Sequence, residues 1–327
     1  MTKDYVLHML QEHPDEYVSG GMLSETLKLS RTAVWKAVEQ LRAEGYPIES
    51  MPRRGHRLSS DSDVLSEEGV RRHLKNRSLR VSVYPVISST NTVLKQMAAE
   101  DAPEGQVLIA GEQTAGRGRL GRSFYSPAGT GLYMSLLLRP SLAPADATRL
   151  TACAAVAVCE ALESLGEVRL GIKWVNDICL KGRKICGILT EAGLDFESGK
   201  MSYVIIGIGV NTRLPKGDFP EEIRQVAGSA FGDAPVPDLR NRLAAGVLDR
   251  LAAYAADPFD PAVFRAYKAR SLALGQPILI LSPGQDPIEA EALDLAEDFS
   301  LRVRLGSGEE RQLRSGEISI QIGRAHV

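Results

Sequence analysis

The hydrophobic pattern of this 327-residue chain falls into three regimes, and each admits a different kind of folded unit. Up to about Ser60 the period is helical. Val6, Leu7 and Leu10 give a first helix one apolar face, and Met22, Leu23, Leu27 and Leu29 continue through a second. Ser30 is placed to cap a third, its hydroxyl accepting from a free first-turn N–H. Val34, Ala37, Val38 and Leu41 follow at the i, i+3, i+4, i+7 spacing of a buried stripe, and Gly45 stops the helix. Two strand-like runs, spanning Ile48–Leu58 around Pro52-Arg53-Arg54-Gly55, end the regime.

The second regime mixes periods. Strands are predicted over Val81–Ile87, Val107–Ala110, Leu132–Leu138, Ile178–Leu180, Lys184–Thr190 and Tyr203–Val210. Helices are predicted from Asn91, over Ala147–Leu165, and across Leu239–Leu251 and Pro261–Ala273. The order lacks a strict βαβ rhythm, so the class is α+β. From about Gly275, Pro277–Leu281, Ile288–Leu295, Ser300–Leu305 and Gln312–Ile320 are short strands separated by Gly, Pro and Asp, the pattern of a small all-β barrel. The expected units are residues 1–63, 64–274 and 275–320, with polar Ser59–Asp63 as a linker. The tail Gln321–Val327 shows no pattern continuing the strand before it. It reads as the translation of a sequencing-adapter fragment and is set aside as non-native.

Charge narrows the partners. The net charge is −2, so any nucleic-acid binding must come from a local patch. One exists: Lys28–Arg57 holds seven basic and three acidic residues, a local +4. Away from its apolar stripe the third helix shows Arg31, Thr32, Trp35, Lys36 and Arg42. Cys153, Cys159, Cys179 and Cys186 match no common zinc spacing and are expected to be buried reduced thiols, as suits a cytoplasmic protein. No run of about 18 apolar residues occurs, so no membrane span is expected.

Three features bear chemistry. In Gly116-Arg117-Gly118-Arg119-Leu120-Gly121-Arg122, three glycines allow close backbone approach, and three arginines with no acid between them repel one another. Such a loop should be mobile when empty and should order around phosphate or carboxylate, which Arg pairs bidentately. Read alone, it is equally a flexible solvated loop. It lacks the Gly-Lys-Ser/Thr ending of a Walker loop. Lys173-Trp174-Val175-Asn176-Asp177 with Arg183-Lys184 brings cations and a carboxylate to a strand end; alone it is a surface hairpin with salt bridges, or a phosphate and Mg²⁺ contact through Asp177. Ser88-Ser89-Thr90-Asn91 precedes a helix, as an N-cap or as a seat for a polar ligand head.

Together, in this order, the three features and the strand Gly187-Ile188-Leu189-Thr190-Glu191 resemble the biotin protein ligases, specifically the bifunctional kind that doubles as the biotin operon repressor. The similarity runs from the N-terminal helices to Gly316-Glu317-Ile318-Ser319. It implies a winged helix-turn-helix, a class II synthetase-like catalytic domain with a central mixed sheet, and an SH3-like C-terminal barrel. It implies that biotin and ATP, with Mg²⁺, give biotinyl-5′-AMP, and that biotin then passes to a lysine of the biotin carboxyl carrier protein of acetyl-CoA carboxylase. Carried over residue by residue, Ser89, Thr90, Asn91 and Gln113 would hold biotin's rings, and Arg117, Gly118 and Arg119 would close over biotin and its adenylate. Lys184 would bridge biotin's carboxylate and the α-phosphate, with Arg119 and Asp177 completing the catalytic set. Arg122, Lys173, Asn176 and Asp177 would lie beside the phosphates and metal, Phe124 would pack on the adenine, and Asn211 would border the base. Arg31, Thr32, Trp35 and Lys36 of a recognition helix Ser30–Glu44 would face operator DNA, with Arg53, Arg54 and Arg57 in the wing near phosphates. The resemblance also implies a homodimer when biotinyl-AMP is bound. Val175 departs from the usual Pro, which removes a fixed φ and predicts modest loosening there. A lipoate protein ligase, and a biotin-sensing transcription factor without catalysis, are the alternatives.

Overall fold

The computed structural model describes residues 2–13, 15–59, 62–195, 197, 199–234, 236–282, 284–322 and 325–326. They form two compact units: Met1–His73 with Pro235–Arg242, and Leu74–Ala234 with Leu243–Val327.

The first unit contains α1 (Thr2–Glu12), α2 (Gly20–Leu27), α3 (Arg31–Ala43), the hairpin β1 (Ile48–Met51) and β2 (Gly55–Leu58), and α4 (Glu67–His73). Ser30 caps α3 as expected, accepting from the Ala33 N–H at 3.1 Å. Val34, Ala37, Val38 and Leu41 are buried against Val6, Leu7, Leu10 and Leu23. Met22, expected on the apolar face, is 43% exposed. The hairpin is antiparallel, from Ile48↔Leu58 to Met51↔Gly55, and His56 pairs with Val18 as a short third strand. Gly55 is required there: its φ is +113°, and a Cβ would stand 2.0 Å from the Val18 carbonyl oxygen. The short α4 gave no sequence signal, because Glu67, Glu68, Arg71 and Arg72 leave Val70 without an apolar stripe. Of the expected linker, Ser60 and Asp61 lie outside the described residues, and Asp63 pairs with Arg240 at 3.0 Å.

The second unit opens with β3 (Arg80–Tyr84), α5 (Thr90–Ala99), β4 (Gln106–Ala110), β5 (Gly131–Leu138) and α6 (Ala147–Glu163). It continues with β6 (Gly171–Lys173), β7 (Asp177–Leu180), β8 (Arg183–Leu194), β9 (Met201–Asn211), α7 (Glu221–Arg224), α8 (Leu239–Ala256) from Leu243 on, and α9 (Pro261–Ala269). The strands make one mixed sheet, ordered β3-β4-β5-β9-β8-β7-β6, in which only β3 and β4 are parallel. All eight residues of β5 are buried, as a central strand requires. Leu150–Cys159 of α6 are buried on every side, the mark of a core helix. β3 stops at Tyr84 rather than Ile87, because Pro85 has no N–H for the ladder. α9 stops before the expected Ala273: the chain leaves the helix to pair with β6, Ile172 N–H to Arg270 O at 2.7 Å and Leu272 N–H to Ile172 O at 2.9 Å.

The C-terminal strands β10 (Pro277–Leu281), β11 (Ile288–Leu295), β12 (Leu301–Leu305), β13 (Glu310–Leu313), β14 (Glu317–Ile322) and β15 (Ala325–His326) form an antiparallel sheet ordered β13-β12-β11-β10-β14-β15. Among the described residues no pairing joins its two edges into the expected barrel. The single strand predicted over Gln312–Ile320 is two, β13 and β14, separated at Gly316, whose φ is +127°. The backbone of the set-aside tail continues β14 to Ile322 and pairs back through Ala325–His326; Gly323, Arg324 and Val327 lie outside the described residues. No helix among the described residues is long and apolar enough to cross a membrane.

Candidate functional site

A cleft of about 120 Å³ opens in the second unit, over the end of the sheet where α5 begins. Its floor is polar and buried. Ser89 caps α5, accepting from the Thr92 N–H at 3.4 Å. The Thr90 N–H donates to Gln113 Oε1 at 2.9 Å, and Gln113 Nε2 donates to Ser126 Oγ at 3.0 Å. Asn91 Nδ2 donates to the Leu189 carbonyl at 3.3 Å and to Glu191 Oε2 at 3.0 Å. Ser135 Oγ, fully buried in β5, lies 2.7 Å from Thr90 Oγ1 and 2.6 Å from Asn91 Oδ1.

The Gly/Arg loop folds back over this floor. Gly118 N–H donates to Arg122 O at 2.8 Å, and Phe124 N–H to Gly116 O at 2.9 Å, so a narrow hairpin forms with Leu120 at its tip. Leu120 is 60% exposed with φ +54°, an unusual conformation for a side chain of that size. The repulsion among the arginines is relieved from outside the loop. Arg117 pairs with Glu191 at 3.3 Å, and Arg122 pairs with Glu317 at 2.7 Å. Arg119 donates to Asn176 Oδ1 at 2.8 Å and to the Gly316 carbonyl at 2.9 Å.

The far end of the cleft is cationic. Lys184 Nζ sits 2.7 Å from Asp177 Oδ1, and Lys173 lines the wall beside them. Asn176 is buried and donates to the Ile188 carbonyl at 2.9 Å, which leaves its own oxygen aimed at Arg119. The Trp174–Val175 peptide is cis, and the Val175 carbonyl accepts from the buried Tyr267 hydroxyl at 3.0 Å. The half-buried Phe124 ring lies against the Cα positions of Gly187 and Gly209: a Cβ on Gly209 would stand 2.5 Å from the ring.

The structure therefore gathers Ser89, Thr90, Asn91, Gln113, Arg117, Gly118, Arg119, Arg122, Phe124, Lys173, Asn176, Asp177 and Lys184 around one cleft. It does not bring Asn211 to that cleft; the Asn211 amide instead donates to the Gly228 carbonyl at 3.1 Å. Glu191, Ser135 and Glu317 were missed. The signal was present for Ser135, a lone small hydroxyl inside an otherwise apolar central strand, which must find partners once buried.

The four cysteines are buried and unpaired with one another. Burial pushes Cys153 and Cys159 up to about 12 and Cys179 up to about 11, and raises Cys186 too, so none supplies a thiolate nucleophile near neutral pH. Among the described residues no cluster of three or more His, Cys, Asp or Glu side chains could hold a metal. Asp177 alone fits the habit of Mg²⁺, which binds through one or two carboxylates together with substrate phosphates.

In the first unit, Arg31, Thr32, Trp35 and Lys36 share the exposed face of α3, with Trp35 57% exposed. Arg42 does not join them. It turns toward the hairpin, donating to Ile48 O at 2.8 Å and Ser50 Oγ at 2.7 Å. Arg53 and Arg54 are exposed at the hairpin tip, with Arg54 4.6 Å over the Tyr17 ring. Arg57 is held by Glu49 at 2.6 Å.

Comparisons agree with this layout. Residues 83–211 match the biotin/lipoate A/B protein ligase family, and residues 2–57 match an HTH domain. The chain is 40% identical over 231 residues to the bifunctional ligase/repressor BirA of Bacillus subtilis (strain 168), covering 70% of each. It is 32% identical over 234 residues to the biotin–[acetyl-CoA-carboxylase] ligase of Mycobacterium tuberculosis, covering 69% of this chain and 84% of that one. Its fold is similar to the solved biotin protein ligase of Aquifex aeolicus in complex with biotin and ATP, with a TM-score of 0.60, 26% identity, and coverage of 75% of this chain and 99% of that one.

Proposed function

The chain belongs to the biotin protein ligases, in their bifunctional ligase/repressor form, and on that premise we propose which residues perform each part of its work. The protein activates biotin with ATP as biotinyl-5′-AMP, transfers the biotinyl group to a lysine of biotin carboxyl carrier protein, and represses transcription in response to biotin through operator DNA.

The polar floor of Ser89, Thr90, Asn91 and Gln113 takes biotin's ring system, and the ligand's carboxylate then points toward Lys184 and Arg119. A carboxylate oxygen attacks the α-phosphorus of ATP; the bond to the bridging oxygen breaks and pyrophosphate leaves. Lys184, Lys173 and Arg119 neutralise charge that builds on the phosphoryl oxygens, Arg122 holds the loop beside them through Glu317, and the fixed geometry supplies positioning. Phe124 packs on the adenine between Gly187 and Gly209. Asn211, outside the cleft, donates to the Gly228 carbonyl, and the Gly228 N–H in turn donates to the Lys184 carbonyl at 2.8 Å. Asp177 would contact Mg²⁺, which shields the triphosphate when bound. In the second step the neutral amine of the carrier lysine attacks the acyl carbon. The acyl–phosphate bond breaks, AMP leaves, and the amine's proton passes to solvent. Arg117, Gly118 and Arg119 retain the adenylate until that amine arrives.

The observation that supports this best is the convergence of Ser89–Asn91, the loop and the Lys184–Asp177 pair on one cleft, from stretches far apart in sequence. The test is pyrophosphate release with biotin and with lipoate, followed by ATP- and Mg²⁺-dependent biotin transfer to a carrier domain. Release with lipoate alone refutes the assignment. For repression, Arg31, Thr32, Trp35 and Lys36 enter the major groove while Arg53 and Arg54 approach phosphates, and biotinyl-AMP favours a homodimer matched to a palindromic operator. Sedimentation velocity with biotin and ATP checks the last point; an unchanged monomer refutes it.

A further inference from the structure

The buried hydroxyl of Ser135 does not line the cleft, yet it touches two residues that do. Its protons can be assigned by elimination. Asn91 faces the Leu189 carbonyl at 3.3 Å and the Glu191 carboxylate at 3.0 Å, both acceptors, so its NH₂ group must point there. Asn91 Oδ1 is thereby turned to Ser135, 2.6 Å away, and an amide oxygen can only accept. Ser135 therefore spends its single proton on Asn91. The 2.7 Å contact between Ser135 and Thr90 still needs a proton, and only the Thr90 hydroxyl has one left to give.

The consequence falls in the cleft. With its proton committed to Ser135, Thr90 Oγ1 presents only lone pairs to a ligand. Gln113 Oε1, 3.1 Å away, is the other acceptor within reach of the Thr90 hydroxyl. The Thr90 backbone N–H already supplies it, so the hydroxyl proton goes to the shorter 2.7 Å contact with Ser135 and Gln113 Oε1 stands as a second acceptor. Two acceptors side by side repel one another until a donor enters between them. An N–H of the ligand ring satisfies both; a ring oxygen in the same place meets two lone-pair faces and is rejected.

We propose that Ser135 is a positioning residue that fixes Thr90 as an obligate acceptor, and so makes the ring pocket selective for an N–H donor. Glu191 anchors the direction of the chain through Asn91, and Arg117 of the loop anchors Glu191 at 3.3 Å. The inference rests on the reading that Thr90 faces biotin's ring.

The experiment measures binding of biotin to the full chain by calorimetry. It repeats the measurement with the two analogues in which one or the other ring N–H is replaced by oxygen. The native chain is expected to prefer biotin to one analogue by roughly 100-fold, since the analogue leaves buried acceptors unsatisfied. In Ser135→Ala the Thr90 proton is released, shared between Gln113 Oε1 at 3.1 Å and an entering ring oxygen, so that preference falls about tenfold. Ser135→Cys keeps the volume and a weak donor, and its preference lies between those two. Thr90→Val also lowers the preference, and adding Ser135→Ala to it lowers it no further. A purely structural role for Ser135 weakens all three ligands equally and leaves the preference unchanged. If Thr90→Val lowers the preference but Ser135→Ala and Ser135→Cys leave it within about twofold of native, the role given to Ser135 is wrong. If Thr90→Val itself leaves it unchanged, the placement of the ring is wrong instead.

Discussion

Adding one methyl group at either of two glycines in β9 should separate the biotin and ATP halves of the site. Gly207 faces Asn91: a Cβ there would stand 2.0 Å from Oδ1 and 2.9 Å from Nδ2. Asn91 must therefore retreat by about 1 Å or more, which takes its contacts to Leu189, Glu191 and Ser135 out of hydrogen-bond range. Three bonds at about 1 kcal/mol each are at stake. Replacing a strand glycine by alanine returns roughly 0.5–1 kcal/mol of backbone entropy. The net loss for Gly207→Ala is about 2 kcal/mol, or a melting midpoint lower by about 4–8 °C in a unit of this size. Biotin binding weakens as its floor is displaced, by roughly 30-fold if the same energy is lost there. Gly209→Ala strikes the Phe124 ring instead, at 2.5 Å, and leaves Asn91 alone. The assay is steady-state pyrophosphate release, varying biotin and ATP in turn. Gly207→Ala should raise KM for biotin with KM for ATP near native, and Gly209→Ala should do the reverse. If both variants raise the same KM, or Gly207→Ala binds biotin as the native chain does, the division of the cleft is wrong.

Other perturbations follow the same geometry. Lys184→Ala leaves Asp177 without the cation 2.7 Å away and the reacting phosphate without its nearest positive charge; pyrophosphate release should fall by about 10³-fold or more, and near-native release rejects that role. Arg119→Gly removes the two bonds that tie the loop to Asn176 and Gly316, so the adenylate should escape and label lysines throughout a lysate; a blot showing the carrier alone rules the loop out as the retaining element. Trp35→Ala with Lys36→Ala, on the exposed face of α3, should abolish the operator gel shift while biotin transfer persists, and an unaltered shift at moderate salt counts against that face. For the thiols, burial holds Cys153 and Cys159 protonated up to about 12, whereas the unfolded chain releases those protons from about pH 8.5. Over that interval the native state binds more protons, so stability must fall as pH rises. Iodoacetamide at pH 8 should label no cysteine natively and all four after denaturation, and native labelling of Cys153 or Cys159 contradicts their burial.

What could be read from the sequence was whatever depends on neighbours along the chain. Ser30 and Ser89 cap their helices where their spacing put them, and β10 and β11 begin and end at the predicted residues, because caps, stripes and turn residues are local physics. Local physics also explains the errors at α9 and β14. The pattern across Leu272–Ala273 is apolar enough for helix, but the chain from Arg270 to Leu272 is claimed by pairing with a distant strand, β6. The run Gln312–Ile320 reads as one strand, but its apolar alternation changes phase between Leu313 and Ile318, where Gly316 turns the chain and hands Glu317 to the loop arginine Arg122. The chemical residues divide in the same way. Those in the loop, at the helix start and beside Lys184 announced themselves by unusual composition. Glu191 and Ser135 act through partners about 44 to 100 positions away, and no window of sequence contains both members of such a pair.

The three loop arginines are not equivalent, and their partners say why. Arg117 and Arg122 are each tied to a carboxylate, Glu191 and Glu317. Arg119 is tied only to neutral oxygens, those of Asn176 and Gly316. All three guanidiniums make charge-assisted bonds, but only Arg117 and Arg122 also have the attraction of an opposite charge, so an entering phosphate or carboxylate must displace a carboxylate there and only neutral oxygens at Arg119. The outer two arginines can therefore hold the hairpin in place while the middle one is released to the ligand. Asn176, freed of Arg119, then has an amide oxygen open as an acceptor for a cation that accompanies the phosphates beside Asp177. Gly116, Gly118 and Gly121, one before each arginine, let the backbone follow that exchange without moving the two tethers. A loop that is only electropositive would collapse onto any anion. This one offers a single guanidinium, at one place, while its two ends stay fixed.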